Sequence, residues 1–258
     1  MILDTHMLLL AFSFFAIALV YSSVGFGGGS SYLALLALFL PNFLEIKSTA
    51  LFCNLAVVSG STFLFIKDGQ FDTKKFLPMV ACSIPAAFLG ATVVLSKSIF
   101  FICLGSVLAF SGLLLIIQFF AIPSPILQIP QRSKLQNVVL GGGAGFVSGL
   151  VGIGGGILIS PVLHLLQWAE ARKIAALASF FILVNSAAGL LGQAASGNLH
   201  VNPSLLGLLL LAVIAGGQLG TRLSLRQLKP SAIRALTGVL VLYVGVKLVM
   251  SHSLGISI

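Results

Sequence analysis

The sequence predicts an all-α polytopic membrane protein made of two inverted repeats. Each repeat is expected to hold a glycine-broken, re-entrant helix pair and three transmembrane helices, for about 8–10 membrane segments in all. Three observations lead there. Of 258 residues, 58% are hydrophobic and only 7% charged, and the mean hydropathy is +1.15. Soluble domains carry about 25% charged residues, so this chain has too few to coat a water-facing surface. The motif VGFGGG at 24–29 returns as VGIGGG at 151–156. Finally, the basic residues sort onto alternate loops in the way membrane topology demands.

Apolar runs between polar breaks give ten segments. In the first half they cover about 7–24, 29–40, 46–66, 76–95 and 99–120. In the second half they cover about 136–151, 156–168, 173–195, 204–224 and 231–250. The prolines of AIPSPILQIPQRSK mark a linker over 123–135, which separates a first repeat (1–122) from a second (136–258). Lys47-Ser-Thr-Ala-Leu matches Lys173-Ile-Ala-Ala-Leu, and PAAFLGA at 85–91 matches AGGQLGT at 215–221. The N-terminus, MILDTHMLLL, has no basic stretch ahead of its apolar run, so the first segment is expected to be retained.

A helix rises about 1.5 Å per residue and the hydrocarbon core is about 30 Å thick. The segments 29–40 and 156–168 therefore reach only about 18–20 Å and cannot cross unaided. Each glycine motif thus joins a pair that enters and leaves on the same side. With that topology one face collects Lys67, Lys74, Lys75, Arg132, Lys134, Arg172, Lys173, Arg222, Arg226, Lys229 and Arg234. Lys47, Lys97 and Lys247 remain opposite, an 11:3 division, whereas single crossings by each pair would divide the charges 8:6. The hairpin topology is preferred, with the basic face cytoplasmic and both termini outside. Three net crossings per half then make the repeats inverted, with the two breaks meeting at the membrane midplane.

The breaks carry the candidate site. Helices that begin after Gly29 and Gly156 present unpaired N–H groups and a positive dipole end, which attract an anion. The candidate substrate-binding residues are Gly25, Gly27, Gly28, Gly29 and Ser30 in the first break, and Gly152, Gly154, Gly155 and Gly156 in the second. Ser31 and Ser160 offer further hydroxyls. Asn54 and Asn185 on the following helices, with Gln193 eight residues beyond Asn185, complete the set. Ser59, Thr62, Ser186 and Gln218 are further polar residues in apolar runs, equally suited to interhelical hydrogen bonds. Gly105, Gly112 and Gly207 are expected to serve helix packing alone.

Asp4, Glu45, Asp68, Asp72 and Glu170 all fall at or beyond segment ends. No carboxylate sits mid-span for a cation or proton relay, so an anionic substrate fits better. His164, inside the segment 156–168, is the coupling candidate, and its neighbour Trp168 offers an interfacial alternative. Cys53, Cys82 and Cys103 form no CxxC pair and read as small apolar packing groups. No metal, cofactor or catalytic residue is expected. HExxH, GxSxG and the GK[ST] ending of a phosphate-binding loop are absent. The net charge of +9 belongs to cytoplasmic loops rather than to a nucleic-acid surface.

The stretches SSVGFGGGSSYL and SGLVGIGGGILISP, with KIAALASFFILVNSAAG and GGQLGTRL, resemble the TauE/SafE family of sulfite and organosulfonate exporters. The resemblance runs from about residue 8 to 250, and Pro161 makes the second glycine motif the closer match. It implies an inner-membrane transporter, an exporter of small anions such as sulfite, sulfoacetate or other organosulfonates. Its partners would be that anion, the bilayer and a coupling proton or ion, with room for a homodimer. An anion channel, a transporter of small carboxylates and, more remotely, an intramembrane enzyme are the alternatives.

Overall fold

Ten helices follow one another in a computed structural model that describes residues 5–23, 25–120, 134–226 and 230–253. They are α1 (Thr5–Ser22), α2 (Gly29–Phe39), α3 (Phe43–Lys67), α4 (Thr73–Thr92) and α5 (Lys97–Phe120) in the first half. The second half contains α6 (Lys134–Val151), α7 (Gly156–Leu165), α8 (Ala171–Ala195), α9 (Pro203–Arg226) and α10 (Pro230–Ser253). The expected linker lies outside the described residues except at Lys134 and Leu135. Four segments, Phe43–Lys67, Lys97–Gln118, Ala171–Ala195 and Pro203–Leu223, are long and apolar enough to cross a membrane. The chain is a multi-pass membrane protein.

The distribution of side chains suits a lipid solvent. Phe12, Phe120 and Leu211 are 68–75% exposed, while Ser48, Asn54, Asn185 and Gln193 are wholly buried. Polar groups thus face the bundle interior and apolar ones face outward, the arrangement that hydrocarbon surroundings favour.

Close backbone approach joins the helices. A Cβ at Gly145 would lie 2.5 Å from Ser83 O, and Gly141 and Gly149 rest on Met79 and Ala87. Because both numbers rise together, α4 and α6 run parallel. In the same way Gly216 and Gly220 of α9 rest on Phe15 and Leu19 of α1. Gly105 meets Gly245 while Gly112 meets Gly238, so α5 and α10 run antiparallel. At these seams small residues let main chains touch, the usual source of helix adhesion in lipid. Gly105 and Gly112 do pack in this way, whereas Gly207 has nothing within 4 Å of an added Cβ.

The pairings map onto one another when the halves are exchanged. α1 on α9 corresponds to α6 on α4, α3 on α9 to α8 on α4, and α2 on α3 to α7 on α8; α3 crosses α8 as α5 crosses α10. Ser48 reaches Gln193 and Gly189 faces Leu51, so α3 and α8 are also antiparallel. At one end of the bundle the turn at 69–74 and Lys173 line a common hollow. At the other, Lys47 shares a recess with the 93–95 turn and Asn198. Lys67, Lys74, Arg172 and Arg222 are exposed, the first three of them at the former end. Lys97 is exposed, whereas Lys47, expected to be a loop charge, is buried at 3% exposure.

Candidate functional site

The two broken hairpins converge on the crossing of α3 and α8. α1 ends at Ser22 and α2 starts at Gly29, and between them φ is 84° at Gly25 and 88° at Gly28. A left-handed residue at these points is natural only for glycine. The second break uses the same device, with φ of 84°, 76° and 81° at Gly152, Gly154 and Gly155. Gly25 packs on Ala175, the fifth residue of α8, where Ser179 Oγ donates to Gly25 O at 3.0 Å. Gly152 packs on Lys47, the fifth residue of α3.

The tips therefore pass beyond the middle of the bundle, deeper than the midplane position that the sequence predicts. It is the short helices that begin at the middle. Gly29 starts α2 beside Asn54, and Gly156 starts α7 beside Ile182; each neighbour is the twelfth residue of a 25-residue helix. At 1.5 Å per residue, α2 returns the chain about 16 Å toward the end where α1 began. In α2 the first helical bond is from Tyr32 N–H to Gly28 O at 3.0 Å. Gly29, Ser30 and Ser31 precede it, so their N–H groups form the open positive end. In α7 Leu158 and Ile159 both donate to Gly155 O at 3.1 Å, leaving Gly156 and Ile157 ahead of them.

Asn54 links the two breaks. Its Nδ2 donates to Ile153 O at 3.3 Å, and a Cβ at Gly154 would lie 3.2 Å from that nitrogen. On the other side, a Cβ at Gly27 would lie 2.5 Å from its Oδ1, and Gly29 packs on the same amide. Ser186 Oγ stands 3.0 Å from a Cβ at Gly154. Tyr32 OH lies 2.9 Å from a Cβ at Gly28, and Ser148 Cβ lies 3.1 Å from one at Gly155. Asn54 Oδ1, Tyr32 OH, Ser148 Oγ and Ser186 Oγ are buried and have no hydrogen-bond partner. Buried polar groups are usually paired, so four unpaired ones around two helix N-termini mark a polar locus. Stacking of Tyr32 on Phe14, with centroids 4.5 Å apart, fixes α2 on α1.

Other expected residues are distributed more widely. Ser30 is buried in the first turn of α2, and Ser31 Oγ pairs with Tyr21 OH at 2.6 Å. Asn185 bonds its own helix, Nδ2 to Phe181 O at 2.8 Å, one turn from Ile182. Gln193 stands eleven residues beyond Ile182, about 16 Å along α8, and accepts from Ser48 Oγ at 2.6 Å near the end of the bundle. Ser59 is exposed and bonds Leu55 O, while Gln218 covers Gly60. His164 lies in the last turn of α7, which ends at Leu165 and not at residue 168. The sequence pattern did not single out Tyr32, Ser148 or Lys47. Tyr32 alone carried a signal, a polar aromatic one helical turn after Gly28.

The repeat register also changes. Lys47 occupies the place of Ala175, each against the leading glycine of the opposite break. Asn54 and Val58 face Gly27 as Ile182 and Ser186 face Gly154, so the counterpart of Asn54 is Ile182 and not Asn185. Among the described residues no three His, Cys, Asp or Glu side chains cluster to hold a metal.

Comparison with known proteins agrees with a transport architecture. The family described as sulfite exporter TauE/SafE matches residues 9–248. A probable membrane transporter protein, y4hK of Sinorhizobium fredii (strain NBRC 101917 / NGR234), is 36% identical over 247 residues, covering 95% of this chain and 99% of that one. No solved structure matches. Taken with the ten helices and the paired glycine breaks, these matches show that the chain belongs to the TauE/SafE sulfite exporter family.

Proposed function

We propose that this membrane transporter carries small anions, sulfite, sulfoacetate or another organosulfonate, outward by alternating access. The observation that supports it most is the meeting of the two glycine breaks at the Asn54 amide, with Gly29, the first residue of α2, on one side and Gly154, two residues ahead of α7, on the other. Helix dipoles, open N–H groups and the hydroxyls of Tyr32, Ser148 and Ser186 all favour negative charge. Glu45, Asp68, Asp72 and Glu170 lie at helix ends or in turns, away from this point.

The antiparallel runs of α3 against α8 and of α5 against α10 support inverted repeats, since each is its partner's counterpart. The first hairpin then enters from the end that carries the termini, and the second from the end that carries Lys67, Lys74 and Arg172. Motion of one hairpin against the other would open the site to alternate sides of the inner membrane. The basic end is cytoplasmic in this topology and the termini are external. His164 is the candidate for proton coupling, near the cytoplasmic mouth.

The test is flux in proteoliposomes. Labelled sulfite uptake should accelerate when unlabelled sulfite is trapped inside, since a carrier exchanges substrate across one site. Flux that simply follows the membrane potential, without such acceleration, would make the protein a channel. Flux of acetate or another small carboxylate in place of sulfite and sulfoacetate would reassign the substrate class.

A further inference from the structure

Among the described residues Lys47 is the Lys or Arg side chain that is buried. It sits one turn into α3, is 3% exposed, and lays its stem against Gly152 at the second glycine break. It lines a recess with Phe43, Phe100, Leu150, Gln193 and Asn198, and no carboxylate lines that recess. Gln193 is wholly buried; its Oε1 is held by Ser48 Oγ at 2.6 Å, which leaves Nε2 as a donor with no partner. Ser48 Oγ also receives the His200 N–H at 3.3 Å and lies 2.9 Å from Leu44 O, which anchors the hydroxyl beside the Gln193 amide. Asn198 is tied in turn, its N–H to Gln193 O at 2.8 Å and its Nδ2 to Ser196 Oγ at 2.9 Å.

A buried lysine with no carboxylate lining its recess, and an unpartnered amide donor on the same recess, is a costly arrangement unless a negative group completes it. We infer that this recess is a second oxyanion site, where the Lys47 ammonium and the Gln193 Nε2 amide hold a sulfonate, sulfite or carboxylate head group. It lies at the end of the bundle where α1 begins and α10 ends. The Lys47 stem abuts Gly152, two residues from the Gly154 that faces Asn54. An anion held here stands one short segment from the central site, on the external side of it. The site deepens the transport proposal, on which its physiological role rests, but it uses different residues and can be measured separately.

The same chemistry fits the phosphate of an anionic lipid, because long basic side chains near helix ends also reach for head groups. Phe43, Phe100 and Leu150 line the recess with Lys47 and leave only about 10 Å³ of free space, which favours a small soluble anion over a lipid head group.

The experiment is calorimetric titration of the purified full chain with sulfite and sulfoacetate, in neutral-lipid nanodiscs and in discs containing phosphatidylglycerol. Lys47→Met keeps the unbranched stem on Gly152 and removes the charge; Lys47→Arg retains it. In neutral discs Lys47→Met should weaken one binding event by about tenfold or more, the scale of a charge-assisted hydrogen bond, and Lys47→Arg should restore most of it. Asn54→Asp should abolish the other event and leave the Lys47-dependent one in place. Without ligand, Lys47→Met should melt no lower than wild type, because it removes an uncompensated buried charge. If Lys47→Met binds both anions as wild type does, or neither anion shows Lys47-dependent binding, the recess is not an anion site. An effect of Lys47 confined to stabilisation by phosphatidylglycerol would equally overturn the soluble-anion site and assign the recess to lipid. Wild type that shows the Asn54-dependent event but no Lys47-dependent one would refute this inference alone; the converse would refute the central site alone.

Discussion

The two glycine breaks share a backbone and differ in what surrounds it. Gly25 and Gly152 both have φ of 84°, and each packs on the fifth residue of the opposite repeat's long helix. The neighbours are unlike: Gly25 meets the Ala175 main chain, and Gly152 meets the flexible stem of Lys47. At the centre, the first break faces Asn54 and Val58, and the second faces Ile182 and Ser186. The two breaks share the conformation that opens two helix N-termini, while the side chains around them differ. The symmetry therefore belongs to the main chain, while side-chain polarity is distributed unevenly about it. A small anion at the centre would meet matched dipoles and unmatched hydrogen-bond donors.

Breaking the comparison at its deepest point should have the largest effect. In Gly25→Ala the new Cβ would lie 2.7 Å from both Ala175 O and Cα, and a main chain has little room to yield. Backbone strain at positive φ costs about 1–3 kcal/mol and overpacking adds a similar amount. Gly152→Ala bears the same strain, but its contact is Lys47 Cγ, which can swing. Gly25→Ala should yield little folded protein by size-exclusion chromatography, whereas Gly152→Ala should be recovered with a lowered melting temperature. Equal recovery would show that the two breaks are equivalent in packing as well as in conformation.

A smaller effect is expected at the seam between α5 and α10. Alanine at Gly105 would put a Cβ 2.7 Å from Gly245 O, while alanine at Gly207 meets nothing within 4 Å. Gly105→Ala should lower the melting temperature by several degrees, for about 1–3 kcal/mol of overpacking. Gly207→Ala should match wild type, or rise slightly as the helix gains an alanine. The smallest effect should come from Ser186→Ala, which removes one of several donors. Affinity for the transported anion should fall by a few fold, the value of a single neutral hydrogen bond, with no change in unliganded stability.

The fold could be read from the sequence because its determinants are long apolar runs and a repeated glycine motif. Start points at Gly29 and Gly156 were legible for a local reason, since glycines so placed cannot sit inside a helix without cause. The end of α7 was less so: the sequence runs on apolar to Trp168, but Gln167 adopts φ of 48° and the chain turns. Register between α3 and α8 escaped detection because the shared Lys-x-x-Ala-Leu pattern aligns Lys47 with Lys173. In space the matching neighbour is Ala175, since the path from the start of the short helix to that of the long one is a residue longer in the second half. For Gln193, helical spacing put it on the face of Asn185, but nothing local revealed that it lies near the helix end, beside Ser48 and Lys47. Ser148 becomes a candidate only through tertiary contact with Gly155, whereas the place of Tyr32 one turn after Gly28 is visible in the sequence.

The central claim is that an anion binds where the two breaks meet at Asn54. The most direct measurement is ligand-induced thermal stabilisation of wild type, Asn54→Asp and Ile182→Val, each titrated with sulfite, sulfoacetate and acetate. Asn54→Asp keeps the size of the side chain and places a carboxylate between the two helix N-termini. Ile182→Val changes the equivalent position in the other repeat without changing its polarity. Wild type and Ile182→Val should be stabilised alike by the transported anion, and the stabilisation should vanish in Asn54→Asp while its unliganded form stays folded. Stabilisation of Asn54→Asp equal to that of wild type would place the anion elsewhere and leave the glycine breaks with a packing role alone.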